Sequence, residues 1–209
     1  MAKVYEIADF QRREIGNKEF ITKFGGQPDW VIVENWPMSE GWDDRKMTFI
    51  GQLYLKKNMI GNHQDMMVYL FMTQPKNVDD SFFDPDITEW EGGETAVIIQ
   101  CVDTVESPSS GEIGPQVFDE NDQHYEYLPV LRETQEADSN EEFYCIDIDK
   151  IGGTPAFFRR DDTPENGDWK LLLQLHCNFL PFVLRAGDIP TMFVFVTSDF
   201  KKGGILIQD

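Results

Sequence analysis

Cysteine and histidine are scarce in this 209-residue chain, three of each. Cys101, Cys145 and Cys177 are odd in number and lack CxxC spacing, which disfavours a disulfide framework and points to reduced thiols in a cytoplasmic protein. His63, His124 and His176 are too scattered for a metal triad, and neither HExxH nor a paired-cysteine motif occurs. No metal and no cofactor is expected. No apolar run approaches the ~18 residues of a bilayer span. Met1-Ala2-Lys3-Val4-Tyr5-Glu6 lacks an apolar leader region. Neither a membrane partner nor export is therefore expected. Basic side chains are also few: 18 Lys and Arg stand against 38 Asp and Glu, a net charge of −20. Such a chain repels a phosphate backbone, which argues against nucleic acid as a direct partner.

What the sequence does have is charge in one place. Between Asp79 and Asp149 lie 21 acidic residues and one basic residue, Arg132, which accounts for the entire net charge of −20. The rest of the chain sums to zero. This third is also rich in loop signals, with Pro85, Pro108, Gly111, Gly114, Pro115 and Pro129 between short apolar pieces, and reads as a partly ordered connection.

The flanks repeat one another. Lys23-Phe24-Gly25-Gly26-Gln27-Pro28-Asp29-Trp30 returns as Lys150-Ile151-Gly152-Gly153-Thr154-Pro155-Ala156-Phe157. Phe49–Leu53 returns as Leu171–Leu175, Tyr69–Thr73 as Phe193–Thr197, and Ala96–Gln100 as Gly204–Gln208, all in the same order. Two copies are too few for a solenoid, so a pair of halves that cover each other's apolar faces is expected. Each copy reads as a Gly-Gly-x-Pro turn followed by three β-type runs. Val4–Arg13 has the spacing of an N-terminal helix. The expectation is an α+β fold, mainly antiparallel β with a few helices. It is a single domain over 1–209, with the first copy at 20–101, an acidic connecting segment at 102–146 and the second copy at 147–209.

These blocks resemble the YwqG-like family of bacterial proteins. The resemblance rests on Lys150-Ile151-Gly152-Gly153-Thr154-Pro155, on Trp36-Pro37 before Phe49-Ile50-Gly51-Gln52-Leu53, and on Gly187-Asp188 before Met192-Phe193-Val194-Phe195 with the closing Gln208. It implies a duplicated α+β fold and supplies no catalytic residues. Some relatives look like partners of toxins in bacterial competition systems, which implies an immunity-type role.

Candidate chemistry is thin. No P-loop, Rossmann fingerprint or GxSxG elbow is present, and the Gly-Gly-x-Pro pairs read as turns. Gln52 and Tyr54 share one strand face, and Gln174 and His176 hold the equivalent places in the second copy. They either satisfy backbone groups locally or line a polar cleft for a small ligand between the copies, in a domain that could be catalytic. Asp79, Asp80, Asp84, Asp86, Glu89, Glu91 and Glu94 are hard-oxygen donors, but the EF-hand pattern is absent, and weak divalent screening is the favoured reading. Aromatic residues, among them Phe82, Phe83, Trp90, Phe118, Tyr125, Tyr127, Phe143 and Tyr144, interleave with the acids as anchors do at interfaces.

The leading expectation is a non-enzymatic, acidic protein-interaction module that binds a basic protein partner, such as a toxin that it neutralises. Its contact residues would be Asp79, Asp80, Phe82, Phe83, Asp84, Asp86, Glu89, Trp90, Glu91, Glu94, Asp119, Glu120 and Asp122. No catalytic residue is assigned. The alternative is the small-ligand cleft of Gln52, Tyr54, Gln174 and His176.

Overall fold

A computed structural model describes residues 3–102, 105–136, 148–158 and 160–209. Phe143, Tyr144 and Cys145 lie outside the described residues. Among the described residues there are ten strands: β1 (Lys3–Arg13), β2 (Lys23–Gly25), β3 (Thr48–Leu55), β4 (Met66–Met72), β5 (Thr95–Cys101), β6 (Glu126–Gln135), β7 (Lys150–Ile151), β8 (Trp169–His176), β9 (Thr191–Thr197) and β10 (Gly203–Gln208). They form one sheet in the order β10-β9-β8-β7-β1-β6-β2-β3-β4-β5, and every strand pair is antiparallel.

The α+β expectation is thereby corrected. Helical structure among the described residues is confined to two 3-10 turns, Pro85–Thr88 and Cys177–Phe179, and the sheet curls until β5 and β10 lie side by side in a nearly closed barrel.

The expected N-terminal helix is strand β1, and a bulge explains the misreading. The β1–β6 register shifts between Ile7 and Asp9, leaving Ala8 as an extra residue. With one residue inserted, positions three apart fall on the same sheet face, so Ile7 and Phe10 both reach the barrel interior while mimicking helical spacing. Val4, Tyr5, Ile7 and Phe10 are also β-branched or aromatic side chains, which suit a pleated surface.

The sheet order reads as two equivalent wings, β2-β3-β4-β5 and β7-β8-β9-β10, on either side of a central β1–β6 pair. The recurring sequence blocks coincide with these wings, and their details match. Gly25, Gly26, Gly152 and Gly153 all take positive φ, and β3 and β8 carry register shifts at corresponding places, Phe49/Gly51 and Leu171/Leu173. The centre is crossed over: β1, which precedes the first wing, pairs with β7, and β6, which precedes the second, pairs with β2. The segment between the copies therefore contributes a central strand.

Apolar side chains sort into three clusters. The barrel interior takes one row from each long strand, including Ile7, Leu53, Leu70, Tyr127, Leu173, Val194 and Ile205. The outer face of the first wing (Phe49, Met67, Tyr69, Phe71) is covered by Trp30, Val31, Trp36 and Met47. The outer face of the second wing (Leu171, Phe193, Phe195, Leu206) is covered by Phe157, Trp169 and Trp90. Trp90 comes from the other copy's long 74–94 loop.

Candidate functional site

Gln52 and Gln174 are fully buried and perform the same local task in each wing. Gln52 Oε1 accepts from the Asp29 N–H at 2.8 Å, and its amide donates to the Ile21 carbonyl at 3.0 Å. Gln174 Oε1 accepts from the Ala156 N–H at 2.9 Å, and its amide donates to the Ile148 carbonyl at 3.1 Å. Each amide thus ties the chain after a Gly-Gly turn to the chain before it, meeting the need of buried backbone groups for partners. Both face the outer side of their strand, away from the interior, and β2, β6, β1 and β7 separate β3 from β8 in the sheet. Tyr54 donates its hydroxyl to Asp65 at 2.5 Å, and the ring of His176 stands edge-on to Phe179 at 5.5 Å. The four residues are not brought together, so the cleft expected between the copies is not formed by them.

A buried ionic cluster beside the central strands gave no motif in the sequence. Lys23 Nζ, from β2, contacts Asp29 Oδ2 at 2.8 Å and Glu126 Oε1 at 2.5 Å, and all three side chains are nearly inaccessible. Arg13 Nε reaches Glu126 Oε2 at 2.8 Å, and Lys18 approaches Asp29 Oδ1 at 3.4 Å. Gly26 is needed here for space as well as for its positive φ, since a Cβ would lie 2.7 Å from Glu126 Oε1. The cluster locks β1, β2 and β6 together. In the second wing Lys150 has a reduced version, bonded to Glu136 at 3.3 Å and to the Thr154 carbonyl.

The acidic candidates come from two segments that touch. Asp122 Oδ1 accepts from the Val78 N–H at 3.3 Å, which sets the 119–122 turn against the start of the 74–94 loop. Arg185 lies beneath and donates to the carbonyls of Val78 and Asp80, so it serves the backbone rather than the carboxylates. Among the described residues of the acidic third, ion pairs fall on the carboxylates Glu112, Glu126, Glu133 and Glu136, and Arg132 pairs outward with Glu6. Among the described residues none falls on Asp79, Asp80, Asp84, Asp86, Glu89, Glu91, Glu94, Asp119, Glu120 or Asp122.

These ten divide by surroundings. Asp79, Asp86, Glu89, Glu91, Glu120 and Asp122 are exposed. Asp80 caps its own loop: the Lys76 and Phe82 amides donate to it at 2.9 and 3.0 Å and hold its carboxyl below the ordinary range. Asp119 is buried and accepts from the Asn121 and Gln123 amides at 2.8 and 3.0 Å. Asp84 and Glu94 are buried beneath the 39–47 segment.

Of the three aromatic candidates only Phe83 is open, at 48 % exposure. Phe82 is held edge-on by Trp42 at 5.2 Å, with the Arg45 guanidinium 3.5 Å from its ring centre. Trp90 stands edge-on to Trp169 at 5.1 Å and to Phe195 at 6.1 Å. A groove of about 410 Å³ runs between Asp119-Glu120-Asn121 and the segment 177–184, floored by Leu180, Phe182 and Leu184.

Cys177 sits beside that groove, and burial drives its thiol up to about 12, which removes it as a nucleophile near neutral pH. Asp149, which accepts from the His176 N–H at 2.6 Å, is likewise pushed above the usual carboxylate range by burial. Among the described residues no three His, Cys, Asp or Glu converge on a metal position, and no helix is long and apolar enough to cross a membrane. Comparison with known protein families finds no match, and comparison with curated proteins finds none either.

Proposed function

We propose that this protein is a non-enzymatic interaction module whose acidic face captures a basic protein partner, of the kind an immunity protein or antitoxin binds. The observation that carries the reading is the contact between the 119–122 turn and the start of the 74–94 loop, which brings the exposed Asp79, Glu120 and Asp122 to one place, none of them in an ion pair among the described residues. Like charges held together in this way raise a field that steers a cationic surface and strengthens near contact. Phe83, exposed, and Leu180, half-buried in the groove beside the 119–122 turn, give that surface something to bury. Membership of the YwqG-like family remains part of the same proposal, supported by the order of the Gly-Gly-x-Pro, Phe-Ile-Gly-Gln and Met-Phe-Val-Phe blocks.

The test is affinity capture at low salt with the wild type and with a variant carrying Asp79→Asn, Asp86→Asn, Glu89→Gln, Glu91→Gln, Glu120→Gln and Asp122→Asn. All six positions are exposed, so the fold should be kept. Capture of a basic protein by the wild type that drops at least tenfold in the variant is expected. Equal capture by both, or capture of no basic protein, overturns the reading.

A further inference from the structure

Asp84 and Glu94 belong to the acidic span but not to its surface, being 6 % and 1 % exposed. They flank Gly41, where a Cβ would stand 2.9 Å from Glu94 Oε1 and 3.9 Å from Asp84 Oδ2. The φ of Gly41 lies outside the left-handed region, so conformation does not demand a glycine there. The space between two carboxylates does.

Three of the four carboxylate oxygens are engaged. Glu94 Oε1 accepts from Ser39 Oγ–H and from the Gly41 N–H, both at 2.8 Å. Asp84 Oδ1 accepts from the Asp86 N–H at 2.9 Å, and Asp84 Oδ2 from the Trp42 indole N–H. The fourth oxygen, Glu94 Oε2, is buried without a hydrogen-bond partner, and so is Thr73 Oγ1. Those two belong together: the Thr73 N–H donates to the Glu94 carbonyl at 2.9 Å, extending the β4–β5 register by one step. The residues are therefore directly opposed, with side chains on the same face of the sheet.

A buried carboxylate is costly unless a positive charge answers it, and here two carboxylates stand on either side of Gly41 with no ion pair to either among the described residues. We propose that the space bounded by Glu94, Asp84 and Thr73 is a binding site for a hard divalent cation, Ca²⁺ before Mg²⁺. Carboxylate and hydroxyl oxygens are the donors such ions select. They come from Thr73, the residue after β4, and from the two ends of one irregular stretch, Asp84 within the 74–94 loop and Glu94 just before β5, an irregular set that suits the adaptable shell of Ca²⁺ better than the octahedron of Mg²⁺. With two carboxylates rather than three or more, the site is weak, with a Kd of ~0.1–1 mM. The bound ion would add to the links that already join the 39–47 segment to the 74–94 loop, among them Ser39 and Gly41 to Glu94, Glu40 to the Gly93 carbonyl, Trp42 to Asp84 and Phe82, and Arg45 to Phe82 and the Gln74 carbonyl.

Terbium luminescence excited through tryptophan tests this in the full chain, because Trp42 is bonded to one of the two acids. Emission that Ca²⁺ displaces at millimolar concentration, falls at least tenfold in Glu94→Gln and persists in Glu91→Gln is the expected result. Ca²⁺ should also raise the thermal midpoint of the wild type by a few degrees and leave that of Glu94→Gln unmoved. Should Glu94→Gln fail to fold, Thr73→Val, which removes one donor and keeps the volume, must weaken Ca²⁺ several-fold. Emission that Ca²⁺ does not displace, or an equal Ca²⁺ response in wild type and variants, overturns the site and leaves a buried water on Glu94 Oε2.

Discussion

Single residues in this protein carry work that composition conceals. Tyr54 and Asp65 are a case in which geometry fixes a pH window. The hydrogen bond from the Tyr54 hydroxyl raises the tyrosine from 10.0 to about 12, and the same bond, with the Lys57 amide, lowers Asp65 from its usual 3.8. A raised folded-state value gives stability that is complete below pH 10 and lost as pH climbs toward 12. A lowered one gives stability that is complete above about pH 4 and lost as pH falls through the folded value. Tyr54→Phe should therefore cost about 1 kcal/mol across the plateau between those limits, and the difference from wild type should shrink at both ends. Urea unfolding of the two proteins across the pH range checks this; a difference that stays constant below pH 4 and above pH 10 would show that the bond is not formed. Lys23 illustrates the opposite kind of concealment. Nothing around it in the sequence announces a buried lysine, because its partners Glu126 and Asp29 lie 103 and 6 residues away, and only the meeting of β2 with β6 brings Glu126 to it.

At the scale of the element, the two wings solve the same covering problem with different pieces of chain. In the first, Trp36 stands edge-on over Phe71 at 5.4 Å. In the second, the residue equivalent to Phe71 is Phe195, and Trp90 stands edge-on over it at 6.1 Å. The second copy has no Trp-Pro segment of its own, and the long 74–94 loop of the first copy crosses over to supply the missing indole. Gly204 makes room for it, since a Cβ there would come within 2.6 Å of the Trp90 ring. Trp90→Ala should therefore destabilise the fold by about 2–3 kcal/mol, a fall of roughly 5–10 °C in thermal midpoint, whereas Phe83→Ala, at an exposed position, should shift it by no more than roughly 1–2 °C. Calorimetry on both variants separates a covering residue from a surface one, and equal shifts would remove the distinction. The same comparison shows what could be read from sequence. The Gly-Gly-x-Pro turns and the apolar blocks of β3, β8, β4 and β9 were legible because turn chemistry and burial on both faces leave local marks. The role of Trp90 was not, because an aromatic residue between acids reads as an anchor for a partner until the surface beneath it is known. Strand β1 was misread because a bulge at Ala8 imposes helical spacing on an extended chain. The exchange of β1 and β6 between the wings leaves no local signature at all, since pairing partners more than a hundred residues apart are set by the sheet as a whole.

For the whole molecule, the question is what concentrated charge does to a nearly closed sheet that is otherwise neutral. The exposed acids of the 74–94 loop and the 119–122 turn repel one another within the folded state, and that repulsion relaxes when the chain expands. Added salt should therefore stabilise the free protein: from about 10 mM to about 150 mM the screening length falls from roughly 30 Å to roughly 8 Å, and the thermal midpoint should rise. The variant neutralised at Asp79, Asp86, Glu89, Glu91, Glu120 and Asp122 should start higher at low salt and respond less. Binding of a cationic partner should run the other way and weaken over the same interval, because ions that screen the acids from one another also screen them from the partner. The opposed signs make the test sharp. If the midpoint of the wild type is indifferent to salt, or if neutralisation leaves its slope unchanged, the exposed carboxylates are too far apart to act as one surface, and a patch that does not feel itself could not draw in a partner by its field.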